Sequence, residues 1–188
     1  MPDVVGYAKQ NLVQLQAVKE RTLFGTNTLV SDFTKTLTQT ETIDGGWATK
    51  YIDNSTGHQW LKYVVDDRGF FVNLIFISPP PTTDQLIEIA FNSNYSDEVS
   101  AAATRLNIEE QSDKKEYRQK LIDKLKTIDI SKLDTVEKER IKTIILAAQL
   151  TDRVNKREIV GKHFSEIQLD ATFFNIVADI ADRILKLL

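Results

Sequence analysis

Apolar side chains recur at three- and four-residue steps near the start of the chain. Val4, Val5, Ala8, Leu12, Leu15 and Val18 alternate with Lys9, Gln10, Gln14 and Gln16. This spacing predicts an amphipathic helix over 3–20 whose apolar stripe requires a docking surface. The pattern then changes. Eight threonines stand between Thr22 and Thr42, and from Phe33 the chain alternates with period two: Phe33, Lys35, Leu37, Gln39 and Glu41 on one side, threonines on the other. Branching at Cβ suits threonine to a pleated surface, so the segment reads as an exposed strand ended by Gly45-Gly46.

Two further strands are expected between Trp47 and Asp66. Trp47, Thr49 and Tyr51 share one face of the first, Asn54-Ser55-Thr56-Gly57 forms the turn, and Trp60, Lys62 and Val64 return. After a second turn at Asp66-Asp67-Arg68-Gly69, the run Phe70 to Ile77 is apolar on both alternating faces. That is the pattern of a strand covered from both sides. Pro79-Pro80-Pro81 lacks backbone donors and must stop it.

Beyond the prolines the period is helical. Thr82 with Gln85 makes a capping-box pattern before Leu86, Ile87 and Ala90, and Ser96 or Asp97 opens a helix through Val99, Ala102, Ala103 and Leu106. Asp113 with Glu116 is placed to open a third helix marked by Tyr117, Leu121, Leu125 and Ile128. Asp134 with Glu137 opens a fourth through Ile141, Ile144, Ile145 and Ala148. Phe174, Val177, Ala178, Ala181, Ile184, Leu185 and Leu188 predict a strongly amphipathic last helix capped by Asp170. Connections of a few residues between the first three imply antiparallel hairpins. No period of 30 to 45 residues repeats. The fold class expected is α+β: an N-terminal helix and a small antiparallel β-sheet over 1–81, followed by a C-terminal array of antiparallel helices over 82–188, in one domain.

Composition narrows the chemistry. A chain of 188 residues with 41% hydrophobic side chains is long enough to hold a core without covalent staples. The absence of cysteine removes disulfide scaffolds, thiolate zinc, iron–sulfur clusters and a cysteine nucleophile. No segment reads as a secretion signal or reaches the roughly 18 apolar residues of a membrane helix, so a cytoplasmic protein with no membrane association is expected. The net charge of −3 is unevenly spread. Residues 1–40 carry 4 basic and 3 acidic side chains, 41–112 carry 4 and 11, and 113–188 carry 16 and 13. An acidic middle repels nucleic acid and favours a basic protein partner, or is a solvated face.

Motifs for catalysis are missing. His58 and His163 have no ligand spacing around them, so no metal is expected. The glycines fit neither a P-loop nor a dinucleotide fingerprint, so no cofactor is expected, and there is no serine-hydrolase elbow. Acid pairs such as Asp66-Asp67, Asp97-Glu98 and Glu109-Glu110 read as solvated turns and caps. The aromatic cluster Trp47, Tyr51, Trp60 and Tyr63 serves either as sheet core or as partner contact, and the interleaved aspartates argue against a nucleic-acid platform.

One family resemblance rests on Trp60-Leu61-Lys62-Tyr63, the apolar strand after it, Ser78-Pro79-Pro80-Pro81-Thr82-Thr83-Asp84-Gln85-Leu86-Ile87-Glu88-Ile89-Ala90, Tyr95 to Ala103, and Tyr117-Arg118-Gln119-Lys120-Leu121. Over about residues 58–127 the chain resembles small bacterial immunity proteins of polymorphic toxin systems. The resemblance implies a non-enzymatic protein that neutralises a cognate toxin domain by binding it.

The surface expected to meet such a partner is the acidic hairpin and the turns after it: Asp53, Trp60, Asp66, Asp67, Asp97 and Glu98. Two other classes stay open. A small hydrolase or transferase would need two carboxylates in a deep pocket with a strongly shifted pKa. A helical scaffold would self-associate through its last helix.

Overall fold

The structure, a computed structural model, describes residues 21–66 and 68–188. The helix expected over 3–20 lies outside the described residues, as does Asp67. The chain forms two compact units that divide between Pro80 and Pro81. One is built on a sheet and the other is helical, as an α+β protein requires.

In the sheet unit, β1 (Leu23–Phe24), β2 (Thr38–Ile43), β3 (Ala48–Ile52), β4 (Gln59–Val64) and β5 (Val72–Phe76) form one sheet in the order β1-β5-β4-β3-β2. Every neighbouring pair is antiparallel. Helix α1 (Asn27–Thr34) lies between β1 and β2 in sequence. The register sets Tyr51 opposite Trp60, Trp60 opposite Phe76, and Phe24 opposite Leu74, so these side chains share a face. Val30 is buried with them, and Leu29, Phe33 and Leu37 pack against the cluster. Phe33 meets Trp60 edge-on at 4.9 Å, and Trp60 meets Phe76 at 5.4 Å and 73°. Each such aromatic pair adds about 0.5–1.5 kcal/mol to the area it buries. Of the two roles open to Trp60, the structure selects core.

Two sequence expectations change here. Phe33 does not begin a strand: it sits in the last turn of α1, and the threonine strand starts at Thr38. The period-two alternation was real, but Leu29, Val30 and Phe33 also recur at helical spacing. Burying that face against Phe24 and Trp60 outweighs the weak strand preference of Thr34 and Thr36. Thr34 is accommodated in the helix by donating its hydroxyl to Val30 O at 2.8 Å. The apolar run after Gly69 also begins later than expected. Phe70 and Phe71 belong to the β4–β5 turn, and β5 starts at Val72.

The helical unit contains α2 (Thr83–Asn92), α3 (Ser96–Asp113), α4 (Arg118–Lys126), α5 (Thr135–Ala147) and α6 (Phe164–Leu187). Capping boxes form as expected at Thr82 with Gln85 and at Asp134 with Glu137. Helix α3 does begin at Ser96, but its N-cap is Tyr95 and no side chain caps it. Two caps fall elsewhere than expected. Asp113 ends α3 instead of opening the next helix, because Lys114 turns left-handed at φ 56° and the chain re-enters a helix only at Arg118. The last helix starts two turns before Asp170: His163 caps it, with Glu166 returning the bond. Helix α2 packs on α3 and α3 on α5, whereas α4 packs chiefly on α6, so a short α3–α4 link does not make a hairpin. Ala101, Ala102 and Ala103 are all buried on α3 and let its neighbours approach closely.

Trp60→Ala should cost about 3–5 kcal/mol in chemical denaturation, because the ring is enclosed and its loss leaves a cavity. Asp134→Ala, which removes a cap and nothing buried, should cost about 1 kcal/mol.

Candidate functional site

The residues expected to form a partner surface are distributed over both units. Asp53 sits in the β3–β4 turn, where its carboxylate accepts from the Ser55 amide at 2.8 Å and the Ser55 hydroxyl at 2.6 Å. Asp66 occupies the β4–β5 turn, at the other end of β4, about 20 Å away along a six-residue strand. Trp60 is only 4% exposed. Asp97 and Glu98 lie in the first turn of α3, in the helical unit, and Glu98 is buried with its carboxylate accepting from Ser93 Oγ at 2.7 Å. Asp66 is the described member of the expected set whose turn carries two exposed rings, Phe70 and Phe71.

That surface is the end of the sheet where two turns meet. The Val64 amide donates to Trp47 O at 2.9 Å and the Val65 amide to Phe71 O at 3.0 Å, so the last residues of β4 lie between the β2–β3 turn and the β4–β5 turn. Trp47 is 49% exposed, Phe70 66% and Phe71 62%. Neighbouring exposed rings make contiguous apolar surface, which marks interaction sites as scattered single side chains do not. The β2–β3 turn passes through Asp44, Gly45 and Gly46 with φ of 50°, 66° and 106°. Three successive left-handed residues explain why glycine occupies two of these positions. In the other turn, Asn27 of α1 donates Nδ2 to Phe70 O at 2.7 Å and accepts from the Val72 amide at 3.0 Å. Asp66 accepts from the Phe71 amide at 2.8 Å, and this backbone donor holds its carboxyl below the usual range, so it is charged at neutral pH. Asp44 and Asp66 make no ion pair among the described residues.

The sequence signals for this surface were the positions of the rings. Trp47 directly follows Gly-Gly, and Phe70-Phe71 directly follows an Asp-Asp-Arg-Gly turn. Rings beside turn residues are poorly placed for burial.

In the helical unit the acidic excess of the middle segment is neutralised internally. Lys120 reaches Asp84 at 2.7 Å, and Lys124 pairs with Glu88. The pair Glu109-Glu110, expected to be solvated, is buried. Glu109 takes Arg105 at 2.8 Å and Lys115 at 3.1 Å, and both Glu110 oxygens accept from Arg118 Nε at 2.9 Å. Successive acids on a helix diverge, so each of these finds its own cation. Burial pushes the Glu110 carboxyl up, and Arg118 opposes that shift. Burial likewise raises the Tyr117 hydroxyl, which donates to Ala148 O. Asp170 receives Lys162 at 2.7 Å and Arg157 at 2.6 Å, and these two donors hold it low.

A cavity of about 140 Å³ lies beside Glu110, edged by Lys114, Glu116, Lys156, Arg157, Glu158 and Lys162. It is smaller than the roughly 300 Å³ lower bound of small-molecule sites, and the carboxylate at its edge is already engaged by Arg118. A larger cavity of about 350 Å³ near the N-terminal ends of α3 and α5 is lined by Ser96, Val99, Val136, Glu139 and Arg140 among others, without two facing carboxylates or a histidine. Among the described residues no group of three or more His, Asp or Glu side chains is placed to hold a metal ion, and no helix is long and apolar enough to cross a membrane.

Asp170→Asn should lower the melting temperature at pH 7 and flatten its acid dependence. With the folded pKa below the unfolded value of about 4, the wild-type carboxylate contributes stability above that pH and loses it as pH falls toward the folded pKa. The two melting curves should therefore converge only as the pH falls through the lowered pKa of the folded state. Arg118→Met should cost about 3–5 kcal/mol by leaving Glu110 buried without a cation, and adding Glu110→Met should recover much of that loss, measured by urea denaturation. Comparison with known proteins finds no matching family model, no matching curated protein and no matching solved structure.

Proposed function

We propose that this chain is a non-enzymatic protein-binding protein that takes a basic partner at the end of its sheet unit. The observation that carries the reading is the exposure of Trp47, Phe70 and Phe71 on two adjoining turns, beside the carboxylates of Asp44 and Asp66, which have no ion pair among the described residues. Each part has a separate physical role. The acids, with Asp67 adding to the charge of the same turn, draw a cationic surface from beyond contact distance and speed association. The rings supply rigid apolar area that is desolvated on contact and slows release. Arg68 on the β4–β5 turn offsets one of the charges of Asp44 and Asp66 and leaves the patch net negative.

The resemblance over about residues 58–127 to bacterial immunity proteins makes a toxin domain the partner class. Nucleases and other toxins that attack polyanions carry basic active surfaces, which an acidic aromatic patch would cover. An immunity protein of this kind meets its toxin in the cytoplasm of a bacterial cell. Nucleic acid is a poor partner for the same patch, because its charge is of the wrong sign.

Coexpression with the product of the adjacent upstream gene, followed by affinity capture, tests the reading, and capture with protection of the host cell is expected. In stopped-flow binding, Asp44→Asn and Asp66→Asn should each slow association about two- to fivefold and reduce its salt dependence. Asparagine keeps the left-handed turn at Asp44 and an acceptor at Asp66. Trp47→Ala and Phe71→Ala should raise the dissociation rate, each by the equivalent of about 1–3 kcal/mol, with melting temperature nearly unchanged. A partner that binds all four variants as it binds the parent would remove this surface from consideration.

A further inference from the structure

The last helix carries more apolar surface than the helical unit covers. Helix α6 buries Phe174, Val177, Ala178, Ala181 and Ile184 along one arc. Beside that arc, Leu169, Phe173, Ile176, Ile180 and Leu187 follow at steps of four, three, four and seven, the spacing of a coiled-coil seam. Leu169 is 70% exposed, Ile176 53% and Leu187 65%, while Phe173 and Ile180 are half-buried. The seam position between Ile180 and Leu187 is Arg183. Its Nε donates to Asp179 O at 3.2 Å, and its charge has no ion pair among the described residues.

We propose that this stripe is a homodimer interface, in which α6 of a second copy lies antiparallel about a two-fold axis near Ala178. That axis sets Leu169 opposite Leu187, Ile176 opposite Ile180, and Phe173 opposite Arg183. The stripe is thus complementary to its own reverse, which is the condition for an isologous contact. A parallel pairing fails on two counts. It would bring Arg183 against Arg183, and it would align the two helix dipoles instead of opposing them.

The size of the interface sets its strength. From Leu169 to Leu187 the stripe is about 27 Å long and one helix, about 10 Å, wide, so each copy offers on the order of 300 Å². A stable specific interface uses roughly 800 Å² per partner, so the dimer is weak and forms only on concentration. The sheet-unit surface proposed for a basic partner is separate, and neither inference depends on the other.

Sedimentation equilibrium from about 5 to about 500 μM should show mass rising from monomer toward dimer. Ile176→Asp should remain monomeric throughout, with a melting temperature within a few degrees of the parent because the site is exposed. Leu187→Lys provides the same test if Ile176→Asp fails to fold. The parent has no cysteine, so Leu169→Cys and Leu187→Cys can be mixed under mild oxidation. The mixture should cross-link, whereas neither variant should cross-link alone, since like positions stand too far apart in the antiparallel pair. A chain that stays monomeric at every concentration, a dimer indifferent to both charged substitutions, or Leu169→Cys that cross-links with itself would overturn the proposal.

Discussion

The guanidinium of Arg118 joins four segments of the helical unit. It stands at the start of α4 with 1% of the residue exposed. Its Nε meets Glu110 near the end of α3, its Nη1 donates to Gln149 O at 3.0 Å, and its plane lies 4.7 Å from the Phe174 ring on α6. Removing a cation and a carboxylate from water costs several kcal/mol for each ion, and their attraction does not exceed that by much. The ion pair therefore adds little net stability. What it contributes is connection: from the start of α4 one buried cation touches α3, the α5–α6 connection and α6, so displacing any of them would leave a charge buried without its partner.

The path from Gln149 to Lys162 depends on the same electrostatics. It has no regular secondary structure, yet Arg153 reaches Asp179 and Asp182, Arg157 reaches Glu116 and Asp170, and Lys162 reaches Asp170. Arg157 also lies 4.4 Å from the Phe173 ring. These contacts tie the connection to α6, whose start is capped by His163 and whose inward side is the apolar arc of Phe174, Val177, Ala178, Ala181 and Ile184. The consequence for function is indirect but concrete. With Asp170 and Phe174 turned inward, Leu169 and Ile176 are turned out.

The sheet unit is ordered by another interaction, the aromatic layer of Phe24, Phe33, Trp60 and Phe76 beneath α1. Once Phe33 is spent on that layer, α1 sits where Asn27 bonds both sides of Phe71 in the chain, and the turn presents Phe70 and Phe71 to solvent. Core and candidate binding surface are thus linked through one asparagine. The Asp66 carboxylate in the neighbouring turn is held charged by a backbone donor instead of a cation, whereas the acids of the helical unit are matched by the lysines and arginines of the basic C-terminal third.

Local chemistry sufficed for much of this architecture. Capping boxes at Thr82 and Asp134, the turn at Asn54 to Gly57, the stop at the prolines and the α+β division are all set by interactions within a few residues, and these were legible from the sequence. Local chemistry could not decide which of two compatible periods Phe33 would follow, whether Asp113 or Tyr117 preceded α4, or that Glu109 and Glu110 were buried. Phe33 is decided by a partner distant in sequence, Trp60, and Glu109 and Glu110 by cations beyond the end of α3, Lys115 and Arg118, which are brought back only by the left-handed turn at Lys114. The same reason separates Trp60 from Trp47. Both are strand-adjacent tryptophans in the sequence, and only the closing of α1 over β4 makes one the core and leaves the other on the surface.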